Sequence, residues 1–186
     1  IRYRSRHSCW TALPIFNELN ETIEKGDHNQ SLSICNKILA QYPTEKEAIS
    51  SKLISLINLS KSDEAITFIK SNNLEKDNQL EYAYALYDIK NFKESIDVIT
   101  KSEQSNDVMN ILLAQNYYKL GDYEKSYEIY KKLIEEKINS EEIENEADLF
   151  ANFLACFAMN ANNKDKDFLN GLKKYLSTWE SYYNLI

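Results

Sequence analysis

Hydrophobic and polar residues follow the period of an α-helix in four similar segments of this chain. Each segment begins with a turn, continues with one small residue and places apolar residues one, three and four positions after it. This spacing puts the apolar side chains along one stripe of an amphipathic helix. The four small residues, called the anchors below, are Ser31, Ala65, Ser95 and Ser126. They are separated by 34, 30 and 31 residues, which indicates a tandem repeat.

A further helical stretch precedes each turn, so every repeat is predicted to be a helix, a short turn and a second helix. Apolar residues recur twelve positions before the anchors, at Leu19, Leu53, Ala83 and Ala114. The anchors are expected to be small because two antiparallel helices approach to about 8–10 Å, and a large residue at the crossing would separate them. One such helix pair cannot bury its apolar face alone, so the pairs are expected to stack.

Residues between the paired helices support the same division. Gly26 and Gly121 are each followed by Asp, and this order suits the end of one helix and the cap of the next. The second and third repeats carry Ser60 and Lys90 in place of glycine. Pro43 falls where the second helix of the first repeat is expected to end.

The stretch LLAQNYYKLGDYEKSYEIYKKLI resembles the tetratricopeptide (TPR) repeat, with its small residue, aromatic residue, Gly-Asp-aromatic turn and second small residue. We therefore expect an all-α fold, a right-handed α-solenoid of TPR-like helix-turn-helix repeats with about four clear repeats and additional C-terminal helices. Only 3 Gly and 2 Pro occur, which also favours helix. The chain ends on apolar residues, so we expect a fragment of a longer protein.

The first dozen residues differ in composition from the rest. All the arginines of the chain, Arg2, Arg4 and Arg6, lie there. We predict that residues 1–12 are a non-native or disordered leader and that residues 13–186 are a TPR protein-binding domain.

Composition argues against several classes of function. The net charge of -7 is unfavourable for phosphate binding, so no direct nucleic-acid contact is expected. No apolar run approaches the roughly 18 residues of a spanning helix, so no membrane insertion is expected. The 3 cysteines include no CxxC pair, which favours a reducing, cytoplasmic location and predicts neither a metal site nor a disulfide framework.

Catalysis finds no support in the residue pattern. There are 2 His, and no Ser or Cys nucleophile can be paired with either from its spacing. The acidic run at residues 141–146 suits the start of a helix, where carboxylates favour the helix dipole. We therefore expect no enzyme, no cofactor and no small-molecule substrate.

A groove for a peptide or helix is the remaining kind of site. Inward residues of the first helices are candidate contacts, and tyrosine suits this role because it buries a large area with few rotors. The same tyrosines could instead pack between repeats. The predicted groove residues are Phe16, Asn20, Ile54, Tyr84, Tyr87, Gln115, Tyr118 and Asn152.

A chaperone-type clamp for a terminal carboxylate is a weaker alternative. If the first helices are aligned by their distance from the anchors, the clamp positions of the first three repeats fall on Phe16, Asn20, Ser51, Asp77 and Glu81. Of these residues only Asn20 suits the binding of a carboxylate. The two acids would repel the ligand.

The order and spacing of the units resemble the N-terminal domain of the 72-kDa subunit family of the signal recognition particle. Its marks are GDHNQSLSICNKIL, LINLSKSDEAITFI and EYAYALYDIKNFKESIDVI, within a stretch from about Ile15 to Met159. The resemblance implies a protein-protein interaction scaffold that binds the C-terminal region of the 68-kDa subunit and supports co-translational targeting to the endoplasmic reticulum. The alternative is a generic TPR adaptor that binds a peptide or helix in another complex.

Overall fold

A computed structural model describes residues 14–103, 106–139 and 147–160, together with positions 168, 170 and 173. Its elements within these residues are all helices and turns. The leader predicted at residues 1–12 lies outside the described residues. The helices are α1 (Pro14–Glu24), α2 (His28–Gln41), α3 (Lys46–Asn58), α4 (Ser62–Ser71), α5 (Gln79–Asp88), α6 (Phe92–Thr100), α7 (Asp107–Lys119), α8 (Tyr123–Asn139) and α9 (Ala147–Met159).

The described helices fall into two compact units that divide between Asp122 and Tyr123. In the first unit, every helix from α1 to α7 packs against the next one in the chain. The first helices of neighbouring repeats also touch, α3 with α5 and α5 with α7. In the second unit, α8 packs against α9. The all-α class is confirmed, and the stacking in the first unit is that of an α-solenoid.

The anchors occupy the positions that the repeat pattern predicted. All four are fully buried, at 0% exposure. The residues twelve positions before them are equally buried: Leu19, Leu53, Ala83 and Ala114. In the first three repeats, small side chains therefore stand at the crossing of the paired helices, where larger ones would push the backbones apart.

The serine anchors also satisfy their hydroxyl groups. Ser31 donates a hydrogen bond of 2.8 Å to Thr22, whose hydroxyl in turn donates to the carbonyl of Leu19. Ser95 donates at 2.8 Å to the carbonyl of Ala83 and accepts from the amide of the buried Asn116 at 3.0 Å. The bonds that Ser31 and Ser95 make themselves cross between paired or neighbouring helices, so these anchors fix the register of the helices as well as their spacing.

Two free cysteines are buried in the described residues, one in each compact unit. Burial raises the pKa of the Cys35 thiol to about 11, although nearby Lys52 opposes the shift. Burial also raises the pKa of Cys156, whose sulfur lies 3.0 Å from the hydroxyl of the anchor Ser126. Both thiols therefore stay protonated and unreactive at neutral pH.

The turns inside the repeats share one backbone conformation. Five residues before each anchor the chain adopts a positive φ, at Gly26, Ser60, Lys90 and Gly121. In each turn that residue donates its N–H to the carbonyl three positions back, and the next residue donates to the carbonyl five positions back, at 2.8–3.0 Å. This is the Schellman ending, which satisfies the last carbonyls of the first helix.

Replacing Ser60 or Lys90 by glycine is expected to stabilise the protein. Both residues occupy the left-handed region, where a Cβ costs about 1–2 kcal/mol, and the flexibility of glycine in the unfolded chain cancels part of the gain. The expected net increase in the free energy of unfolding is about 0.5–1 kcal/mol for each change, measured by urea denaturation. Gly121→Ala is the converse control. A Cβ there would meet no atom within 4 Å, so its expected loss of about 1 kcal/mol comes from the backbone conformation.

A carboxylate network joins the second repeat to the third. Glu94 accepts hydrogen bonds from the Tyr82 hydroxyl at 2.8 Å and from the Asn91 amide at 2.6 Å, and it pairs with Lys70 at 3.4 Å. These groups belong to α4, α5, α6 and the turn before α6. The hydrogen bond from Tyr82, together with Lys70 and Asn91, holds the pKa of Glu94 below its usual value.

Glu94→Gln is expected to lower stability in a pH-dependent way. Because the folded pKa of Glu94 is depressed, its contribution is fully present above the unfolded pKa and is lost as pH falls through the folded pKa. The carboxylate is 40% exposed, so solvent screening limits the expected loss at pH 7 to about 1 kcal/mol. Urea titrations should show the difference shrinking below about pH 4.5. A pH-independent difference in the free energy of unfolding would contradict this account. Glu18→Gln, at an exposed position of α1, is the control.

Candidate protein-binding face

The first helices of the repeats present one exposed row. It lies eleven positions before the anchors, directly beside the buried row at position twelve. We call the exposed sides of α1, α3, α5 and α7 around this row the first-helix face. Its central residues are Asn20, Ile54, Tyr84 and Gln115.

Two large apolar side chains project from the middle of this face. Ile54 on α3 is 46% exposed, and Tyr84 on α5 is 45% exposed. Their helices touch and belong to the same compact unit. Apolar groups left in solvent on contacting helices provide area that a partner can bury.

Tyr87 supports Tyr84 from the side. Its ring centroid lies 6.2 Å from that of Tyr84 and 5.5 Å from that of Phe92 on α6. Tyr87 is half-buried, and desolvation raises the pKa of its hydroxyl, which stays a hydrogen-bond donor at neutral pH. The three rings form a tilted aromatic row that holds Tyr84 at the surface.

The prediction that Phe16 lines the groove is wrong in this structure. Its side chain is 1% exposed and packs in the core of the first repeats, with Leu19 and Ile34 among its neighbours. Phe16 lies three residues before Leu19, so it shares the core-facing side of α1 and fills space between α1 and α2.

The other predicted groove residues are at least partly accessible. Asn20 is exposed on α1, and Gln115 and Tyr118 are half-buried on α7. Asn152 is half-buried on α9, which belongs to the second compact unit. The structure thus brings Tyr84 and Tyr87 together and places Ile54 on a helix that touches theirs, and a role in binding stays a prediction for every accessible member of the set.

Carboxylates flank the exposed apolar pair, and of these only Glu81 was considered from the sequence, as a clamp position that would repel a carboxylate. Glu81 and Asp88 lie one turn on either side of Tyr84, and Glu47 lies two turns before Ile54. Glu81 accepts a hydrogen bond of 3.3 Å from Ser50 on α3. Asp88 accepts one of 2.6 Å from Ser62, the first residue of α4. The acidic net charge was the available signal, but it did not show where the individual carboxylates lie.

The described residues provide neither a metal-binding cluster nor a membrane-spanning helix. The described part of the chain contains no group of three or more His, Cys, Asp or Glu side chains placed to hold a metal ion. None of its helices is long and apolar enough to cross a membrane.

Comparison with known proteins connects this chain to a family. A family model described as "Putative TPR-like repeat", from the signal recognition particle, matches residues 23–159. The match includes every anchor and the whole of helices α2 to α9. The repeats described above are therefore the ones that the family model recognises.

Three similar proteins carry the same name, signal recognition particle subunit SRP72. The protein from Dictyostelium discoideum is 34% identical over 140 residues, 75% of this chain and 21% of that protein. The protein from Caenorhabditis elegans is 28% identical over 141 residues, 74% of this chain and 21% of its own length. The protein from Schistosoma mansoni is 27% identical over 153 residues, 82% of this chain and 22% of its own length.

The chain thus spans 21–22% of the length of these relatives. The family match covers well over half of the chain and begins inside α1. The chain therefore belongs to the TPR-like repeat family of the signal recognition particle, the family of the repeat domain of its 72-kDa subunit.

Proposed function

We propose that this chain is a protein-protein interaction scaffold of the signal recognition particle. Its first-helix face binds the C-terminal region of the 68-kDa subunit, and this contact supports co-translational targeting to the endoplasmic reticulum. The chain does so in the cytoplasm, by binding alone and without catalysis.

The observation that carries the proposal is the exposed pair Ile54 and Tyr84 on touching helices of a family member. These side chains leave apolar area in solvent, while the residues beside them form a closed core. Burying that area against a partner would gain free energy without disturbing the fold. Tyrosine in particular is enriched among residues that dominate binding energy.

The test is calorimetric titration of the chain, residues 1–186, with the C-terminal segment of the 68-kDa subunit from the same source. We expect saturable one-to-one binding with Kd of about micromolar or tighter. Titrations at several temperatures guard against a binding enthalpy near zero. No heat at any of them, with a folded and monomeric sample, would remove the 68-kDa subunit as partner and favour a TPR adaptor of another complex.

A further inference from the structure

We propose that the first-helix face selects a basic segment that also carries apolar or aromatic anchor side chains. The inference rests on the proposed function, since it specifies the partner chemistry of the same face. It follows from what surrounds Ile54 and Tyr84 and from how the charges of the chain are paired.

The first-helix face carries two apolar side chains in solvent. Ile54 and Tyr84 stand on α3 and α5, which touch, and each keeps nearly half of its surface in water. Asn58, one turn beyond Ile54, donates to the Ile54 carbonyl and is itself exposed, so the margin of the pair is polar. An apolar patch with a polar margin is the usual form of a binding hot spot.

The carboxylates around these two side chains have no ion-pair partners in the part of the chain that the structure describes. Glu47, Glu81 and Asp88 flank the pair, and none of them forms an ion pair within the described residues. Helix α5 contains no Lys or Arg at all. On α3, Lys46 stands at the first residue, and Lys52 lies over the ring of Phe68 on α4 at 4.1 Å. The carboxylates beside the apolar pair therefore have no ion-pair partner on their own helices.

Several acids on the second helices form ion pairs with lysine. Lys61 pairs with Glu64, Lys70 with Glu94, and Lys101 with Asp97, at 3.4–3.5 Å. Beside Ile54 and Tyr84, by contrast, the carboxylates of Glu47, Glu81 and Asp88 have no lysine partner within the described residues. A partner with Lys or Arg on either side of its apolar anchors would form ion pairs with these carboxylates. The desolvation cost would be small, because Asp88 and Glu47 are exposed.

The first experiment identifies the preferred ligand without assuming its source. The folded chain is used to select from a random 15-residue peptide library displayed on phage, with the same selection on the triple variant Glu47→Gln, Glu81→Gln and Asp88→Asn. We expect the unchanged chain to enrich peptides with net positive charge and at least one aromatic or large aliphatic residue. Peptides selected on the triple variant should no longer be enriched in positive charge. Enrichment of neutral or acidic peptides, or no enrichment, would overturn the inference.

The amide replacements are chosen to preserve the fold. Each keeps a carbonyl oxygen that can accept the hydrogen bonds from Ser50 and Ser62. The matched control carries the same change in charge on exposed acids of the second helices: Asp63→Asn, Glu64→Gln and Asp97→Asn.

The second experiment separates this inference from the proposed function. Overlapping 15-residue peptides that cover the C-terminal region of the 68-kDa subunit are measured by fluorescence anisotropy at low and high salt. We expect the tightest binder to be basic, to lose about tenfold in affinity on the triple variant at low salt, and less than about twofold on the control. The tenfold loss should shrink in about 1 M salt, where screening acts within about 3 Å.

Each pattern of results has one meaning. Binding by an acidic or neutral peptide, or equal losses on the triple variant and the control, would overturn the inference and leave the 68-kDa subunit as partner. Basic peptides selected from the library, with no binding by any peptide of the 68-kDa subunit, would support the inference and overturn the proposed partner.

Discussion

The double variant Ile54→Ala and Tyr84→Ala is expected to bind the C-terminal segment of the 68-kDa subunit about 100-fold more weakly than the unchanged chain. Each truncation removes one anchor, and a loss of about 1.4 kcal/mol at each corresponds to tenfold in affinity. Because both side chains are nearly half exposed, the free energy of unfolding should change by less than about 0.5 kcal/mol. Calorimetry measures the first quantity and urea denaturation the second.

Exposed aliphatic residues at the turns provide the matched control for this double variant. Ile89 and Leu120 are 38% and 43% exposed and follow the ends of α5 and α7. Changing both to alanine removes a similar apolar area from outside the central row. We expect affinity to stay within about threefold, and an equal loss in the two double variants would refute the assignment of Ile54 and Tyr84.

Ser95→Leu is expected to destabilise the chain by at least about 3 kcal/mol. The anchor is fully buried at the crossing of α5 and α6, so a larger side chain must displace a helix or adopt a strained rotamer. The change also removes the hydroxyl that donates to the Ala83 carbonyl and accepts from Asn116. Urea denaturation followed by circular dichroism at 222 nm would record the shift of the midpoint.

Ser95→Ala separates the two parts of this effect. Alanine keeps the small size but loses the hydroxyl, and Asn116 retains its second hydrogen bond, to the Leu112 carbonyl. We expect a loss of about 1 kcal/mol, the usual net worth of a hydrogen bond. If the leucine and alanine variants unfold at the same denaturant concentration, side-chain size at the crossing is not the reason for a small anchor.

The repeat architecture could be predicted from the sequence because it depends on local spacing. Anchors and the residues twelve positions before them are all fully buried, so the period of the pattern located the helix crossings without tertiary information. Asp27 likewise caps α2 by accepting from the backbone of Gln30, as its position after Gly26 suggested.

Backbone conformation at the middle turns could not be predicted from residue type. Glycine signals a left-handed residue, but Ser60 and Lys90 give no such signal. Only their place in the repeat, equivalent to Gly26 and Gly121, indicates that they adopt a positive φ. Tertiary stacking supplies enough free energy to hold them there.

The candidate site was predictable in outline and not in detail. Spacing correctly placed Ile54 and Tyr84 in the exposed row, because that row lies next to the core row on each helix. It failed at Phe16, since a helical position at the margin of the core turns inward or outward according to its side chain and its neighbours. The pairing of Glu94 with Lys70 joins residues 24 positions apart, which no local pattern reports.

Buried thiols make the two compact units separately observable. Cys35 lies in the first unit and Cys156 in the second, and a thiol reagent can reach either one only when its surroundings open. With Cys9 replaced by serine, the rate at which each remaining cysteine is labelled under native conditions reports how often its own unit opens. Equal rates would mean that the units open as one cooperative body, and unequal rates would rank their local stabilities within a single sample.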